Sequence, residues 1–316
     1  MNLQTQLSTP KEKINPINYH SKIFLLGSCF SENIGNKLAY YQFQSSQNPF
    51  GILFHPKAIE RLITNAINKK TYTEKDVFFL NERWHSFDAH SSLSATDKNI
   101  LLNNLDHAIT QTNSQLKEAS HIVITLGTSW VYRFIEQDII VANCHKVQQK
   151  KFLKELLSID EVTESLETII ALITSVNPKA SILFTVSPVR HLKDGFTQNQ
   201  QSKSHLISAI HQLVDPRKNT YYFPSYEIMM DELRDYRFYA EDMIHPNQTA
   251  INYIWEKFTH TWISEASLEP MKEISTIQNG KNHKPFNSKS EEHQQFLQTL
   301  KNKIKALQEK YPFIDL

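Results

Sequence analysis

The sequence predicts an α/β domain of the doubly wound kind, with helices on both faces of a parallel sheet and a helical extension at the C-terminus. Two observations carry this. Four short runs, Ile23 to Leu26, His121 to Leu126, Ser181 to Val186 and Thr220 to Phe223, are almost continuously apolar and bounded by turn residues, the mark of strands buried on both faces. Amphipathic helical stretches fall between them, so strand and helix alternate along the chain.

Taken in order, the first strand runs into Gly27-Ser28-Cys29 and then into a helix from Ser31 to Tyr41 with Ile34, Leu38 and Tyr41 on one face. Further helices are expected over Lys98 to Ala119, Lys151 to Ser175, and Gln248 to Ile263, where Ile251, Ile254, Phe258 and Trp262 align. This main domain is placed at residues 1–264. A polar linker from about Glu265 to Lys289 follows, then a charged amphipathic helix from Ser290 to Tyr311 carrying Phe296, Leu297, Leu300, Ile304 and Leu307. That helix is expected to pack across the domain or against a second copy of the chain. Glu291, Glu292 and Glu309 interrupt its lysines, so it does not read as a basic nucleic-acid arm.

Composition narrows the function. With 34 basic against 33 acidic residues the net charge is +1, which gives no electrostatic case for a nucleic acid or an anionic membrane as partner. The first residues, Met1 to Leu7, lack the basic and apolar regions of a secretory leader, and no stretch reaches the roughly 18 apolar residues of a membrane span. The chain therefore reads as soluble and cytoplasmic, with a small-molecule or protein partner. Its two cysteines, Cys29 and Cys144, are too few for a disulfide scaffold. A thiol here is a core side chain or a reactive group.

The reactive alternative has a local argument. Gly27 suits a sharp turn after the strand, and the following residues then lie over the N-terminus of the next helix, where free N–H groups favour an anion. Cys29 at that place is expected to be activated. In "AEDMIHPNQTAINYIWEKF", Asp242 and His245 stand three apart and Pro246 suits the first helical position. A carboxylate so close to an imidazole can bond one ring nitrogen and leave the other free as a base.

"LLGSCFSENIG" (Leu25 to Gly35), "NPFGILFHP" (Asn48 to Pro56), "TLGTSWVY" (Thr125 to Tyr132), "NCHK" (Asn143 to Lys146), "FPSYEIMMDELRDYRFY" (Phe223 to Tyr239) and "DMIHP" (Asp242 to Pro246) occur in this order. Together they resemble the GSCFA-domain proteins of the wider SGNH/GDSL hydrolase superfamily over roughly residues 20 to 260, with serine in place of the motif's last letter. The resemblance implies a three-layer α/β/α flavodoxin-like sheet and an acyl-ester hydrolase or O-acyltransferase. Cys29 would stand as nucleophile where most relatives carry serine, with Ser28 or Ser31 as alternatives, His245 as base and Asp242 orienting it. It further implies an oxyanion site from the N–H groups of Cys29 and Gly51, helped by Ser129, which replaces the third block's asparagine. The substrate would be a carbohydrate-like or small metabolite ester, and neither cofactor nor metal is expected.

Other polar residues offer pocket lining: Asn48, Trp130, His85, His90, His145 and Arg190. His85, Asp88 and His90 invite a metal reading, but they lack the fixed spacing of zinc motifs. The missing asparagine leaves room for an alternative, a weakly catalytic or inactive ligand-binding or assembly protein on the same scaffold.

Overall fold

The first strand shows how the two faces are made. In β1 (Lys22–Gly27) successive side chains point to opposite sides, so Phe24 and Leu26 enter one hydrophobic cluster while Ile23 and Leu25 enter another. The computed structural model describes residues 5–288 and 290–316. The expectations placed on Met1 to Gln4 and on Lys289 lie outside the described residues.

After β1 come α1 (Cys29–Tyr40), β2 (Gln44–Gln47), α2 (Pro56–Ile67), the hairpin β3 (Phe78–Leu80) and β4 (Arg83–His85), and α3 (Lys98–Glu118). The chain continues through β5 (His121–Leu126), β6 (Trp130–Phe134), β7 (Ile139–Val141), β8 (Phe152–Leu156), α4 (Ile159–Val176), β9 (Ser181–Val186), α5 (Phe196–Leu213) and β10 (Thr220–Phe223). It ends with a short turn α6 (Ser225–Glu227), which runs into a π-helical segment at Ile228–Leu233, and then α7 (Gln248–Trp262), α8 (Glu265–Asn282) and α9 (Glu291–Lys310).

Five strands form one parallel sheet in the order β10-β9-β5-β1-β2, with β1 in register against β5 from Ile23↔His121 to Gly27↔Thr125. This is the flavodoxin-like order, and it sets the crevice at the carboxyl ends of β1 and β5, where the winding reverses. Buried side chains of α2, α3, α4 and α5 cover one face and those of α1, α7, α8 and α9 the other. A small antiparallel sheet, β7-β6-β8, stands beside β5 and packs Phe134, Val141 and Phe152 together.

Two expectations change. The helix expected from Lys151 begins only at Ile159, because Phe152–Leu156 pair with β6 and Ser158 with Glu161 forms a capping box that starts the helix there. The stretch expected to be a polar linker is largely helix α8, whose Met271, Ile274 and Ile277 are buried. As expected, α9 packs across the domain: Leu300 and Leu307 are buried in the cluster that holds α8 and α1 residues, while Phe296 and Leu297 stay exposed. Beyond it, Tyr311 lies 4.8 Å from the ring of Tyr19, and Asp315 donates its N–H to Gln42 Oε1 at 3.0 Å. No described helix is long and apolar enough to cross a membrane.

Candidate active site

The turn between β1 and α1 is fixed from three sides. Gly27 has φ +129°, and a Cβ there would fall 2.1 Å from the carbonyl oxygen of Thr125, so this position requires glycine. Its N–H donates to Asn48 Oδ1 at 2.9 Å, and its carbonyl accepts from Leu53 N–H at 3.0 Å. Ser28 then caps α1, accepting from Phe30 N–H while its own N–H donates to Thr125. Ser31 Oγ donates back to the carbonyl of Leu26 at 3.0 Å. Both serines are fully buried, whereas Cys29 between them is partly exposed. Cys29 and Cys144 are free thiols.

The expected activation of Cys29 is not a property of its resting surroundings. Burial, and after it the carboxylate of Glu32, push the thiol up from its ordinary value; Lys203 and the N–H groups of Cys29 and Phe30 pull the other way and do not prevail. The helix N-terminus is present, but desolvation of a charged sulfur outweighs it.

The second half of the site is a tight loop before α7. Ala240 N–H donates to the His245 carbonyl, and Met243 takes a left-handed φ of 56°. Inside it Asp242 Oδ1 accepts from the N–H groups of Ile244 and His245 at 2.9 and 3.0 Å, and Oδ2 lies 2.6 Å from His245 Nδ1. The N–H donors, with the imidazole beside them, lower the Asp242 carboxyl to about 2. His245 Nε2 has no hydrogen-bond partner among the described residues. Pro246 is not the first helical residue: Asn247 caps α7, accepting from Ala250 N–H.

The loop after β9 joins these halves. Arg190 N–H donates to the carbonyl of Ile244 at 3.1 Å. Next to it His191 points Nε2 at the Gly127 turn, 3.2 Å from where a Cβ on Gly127 would sit, a point also 3.4 Å from Ser28 Cβ. His191 is lowered to about 3 by burial, then by Lys203 and His245. Its Nε2 is buried without a partner. Lys203, wholly buried on α5, donates to the carbonyls of Gly127 and Ser187 at 2.7 Å each.

The remaining expected residues divide. Asn48 is brought to the Gly27 turn; with Oδ1 held by Gly27, its Nδ2 is buried and unpartnered. Gly51 donates its N–H to the Asn48 carbonyl at 2.8 Å and touches His90, so that N–H is engaged in the turn. Ser129 does not face a substrate: it is fully buried, its N–H and hydroxyl both donate to Ser202, and it serves to seat the β5–β6 turn on α5. His90 adjoins Gly51, and its imidazole is lowered by burial while Glu32 acts in the opposite sense. Arg190 stacks 4.0 Å over Tyr239 and keeps one unpartnered guanidinium nitrogen. Trp130 is half-buried, with Lys154 over its ring at 4.6 Å.

His85 and His145 belong elsewhere. His85 Nδ1 meets Ser94 Oγ and its Nε2 the Leu80 carbonyl; His145 Nε2 meets the Ser86 carbonyl, and the two rings lie 4.8 Å apart under the β3–β4 hairpin. Asp88 pairs with Arg61 and Lys70, so His85, Asp88 and His90 do not converge as ligands. A cavity of about 610 Å3 near this hairpin, lined by Phe78, Phe87 and Phe134, includes neither Cys29 nor His245.

Lys203, His191 and Ser202 were not anticipated from the sequence. The available signal was a lysine on the buried stripe of Asn199, Ser202, Leu206 and Ile210 in α5.

The GSCFA family model matches residues 22–258, and that of the GSCFA domain protein C-terminal domain matches residues 274–316. The chain belongs to the GSCFA family. Among solved structures this GSCFA chain is similar to a carbohydrate esterase family 3 from Talaromyces cellulolyticus, with 8% identity, TM-score 0.37 and coverage of 81% of this chain and 99% of that one. It is also similar to a mutant acetyl esterase with acetate ion, with 9% identity, TM-score 0.37 and coverage of 80% and 99%. No curated protein matches it.

Proposed function

We propose that this GSCFA protein is an acyl-ester hydrolase or O-acyltransferase working through a thioester on Cys29. The observation that carries the reading is the Asp242–His245 pair at 2.6 Å with Nε2 free, on a loop bonded to the carboxyl-edge segment that also reaches the Cys29 turn. Because burial and Glu32 hold the thiol protonated, the base has to act during attack rather than before it. The sulfur adds to the ester carbonyl as His245 Nε2 takes its proton, forming the S–C bond. The tetrahedral oxyanion then expels the alkoxide, which receives that proton. Water or an acceptor hydroxyl, deprotonated by the same nitrogen, attacks the thioester carbonyl; the S–C bond breaks, the acid or new ester departs, and the proton on Nε2 returns to the Cys29 sulfur.

The oxyanion needs donors that do not have to reorganise. Cys29 N–H is the first in α1 and has no intrahelical acceptor. Asn48 Nδ2 is the other, since Gly27 fixes the amide so that this nitrogen is left over. Asn48 thereby takes the part of the missing third-block asparagine, and Gly51 shapes the turn that holds it. A carbohydrate-like or small metabolite ester is the substrate class the SGNH resemblance suggests.

A second reading, an inactive ligand-binding protein, draws on the raised Cys29 thiol. An electrophilic acyl probe separates the two. Site-selective acylation of Cys29 that disappears in His245→Ala supports catalysis; labelling that ignores His245 supports the binding protein and rejects the mechanism.

A further inference from the structure

Lys203 is a wholly buried cation at the carboxyl edge of the sheet, held by the turns after β5 and β9. Its side chain is 0% exposed, yet among the described residues it meets no carboxylate. Instead Nζ donates at 2.7 Å to Gly127 O and at 2.7 Å to Ser187 O, the first carbonyls past β5 and β9. Contacts this short are usual for a charged donor. An ammonium buried without a carboxylate is costly, and the interior favours its neutral form.

The ring of Tyr226 on α6 lies 5.5 Å from Nζ, and Lys203 is coupled electrostatically to Cys29 on α1 and to His191 on the loop after β9. Gly127, whose carbonyl it holds, abuts Ser28 beside Cys29. Of the charges that act on Cys29, Glu32 opposes ionisation and Lys203 favours it.

We propose that Lys203 is a positioning residue for the nucleophile: its ammonium, tethered by Gly127 and Ser187, is the fixed counter-charge for the Cys29 thiolate as the proton leaves. This rests on Cys29 being the nucleophile. The lysine makes no bond to substrate and transfers no proton. It offsets Glu32 and the low-dielectric surroundings at the moment negative charge appears on sulfur. Burial, against the opposing pull of Cys29, leaves Lys203 at about 7, so ammonium and thiolate each favour the other.

The test reads the thiol and needs no ester. In a Cys144→Ser background, the rate of alkylation by iodoacetamide is followed from pH 6 to 11. With Lys203→Met the reaction at pH 6.5, where the ammonium is largely retained, is expected to be about tenfold slower. A merely structural role leaves the pH 6.5 rate of a folded variant unchanged, and that result overturns the proposal. Should Lys203→Met not fold, the Lys203-intact protein decides. The rate ratio of anionic iodoacetate to neutral iodoacetamide at Cys29 is expected to exceed that of the same protein in urea. A ratio equal to or below the unfolded value overturns the proposal. Loss of acyl transfer with these effects intact would reject the proposed reaction while keeping the Lys203–Cys29 coupling.

Discussion

At the scale of single residues, buried imidazoles set how this protein answers acid. Burial lowers His55 to about 4 and His145 to about 4. In His55, Nδ1 caps α2 by accepting from Ala58 N–H and Nε2 donates to the Val141 carbonyl, so only the neutral ring fits. Between those values and about 6.5 the unfolded chain binds more protons than the folded one. Stability therefore rises with pH through that window and is lost as pH falls through it, by up to about 1.4 kcal/mol per unit for each group. Urea midpoints at pH 7, 5.5 and 4.5 should fall steadily, and His55→Asn, which keeps a cap acceptor, should flatten the slope. Asn48→Asp should keep the acceptor for Gly27 while removing the free donor. We expect kcat on any active ester to drop by about 10²- to 10³-fold with little change in KM, and kcat within twofold of the parent would remove Asn48 from the oxyanion site. Asp242 and His245 could be paired from sequence because only three positions separate them. Lys203 and its Gly127 contact are 76 residues apart, and such a contact leaves no local pattern.

Among the elements, the continuous apolar strands were legible, whereas helices were read unevenly: α2 was missed despite its cap and buried face, and the start of α4 was misplaced. β5 and β9 are buried at every position and stood out as apolar runs. β2, Gln44–Gln47, is an edge strand of four half-buried polar residues and carries no apolar signal; its place comes from pairing with β1. α5 escaped because Ser202 and Lys203 interrupt its buried stripe with polar atoms. The start of α4 was written in the chain as Ser158 and Glu161, and Ser158→Ala should cost about 1 kcal/mol in chemical denaturation. A harsher test is Gly27→Ala. With φ at +129° and a carbonyl oxygen 2.1 Å from the new methyl, the β1–α1 turn has to shift, and a loss of more than about 3 kcal/mol is expected. A thermal midpoint near that of the parent would show that the turn is looser than its hydrogen bonds imply.

Over the whole molecule, the sheet separates two cores, and the last helices belong to one of them. Met271, Ile274, Ile277, Leu300, Leu307, Tyr311 and Ile314 pack with Phe30, Ile34 and Leu38 of α1. A chain ending at Ile263 would expose that face. It should aggregate or melt at least about 10 °C lower, which differential scanning calorimetry would register. The ring of Tyr311 on Tyr19 has a temporal side as well. During synthesis Tyr19 is joined 292 positions ahead of its cover, roughly 15 to 60 s at about 5–20 residues per second. The thiol-bearing helix is made early and roofed late, so a nascent chain carries a sticky, unshielded flank through most of translation.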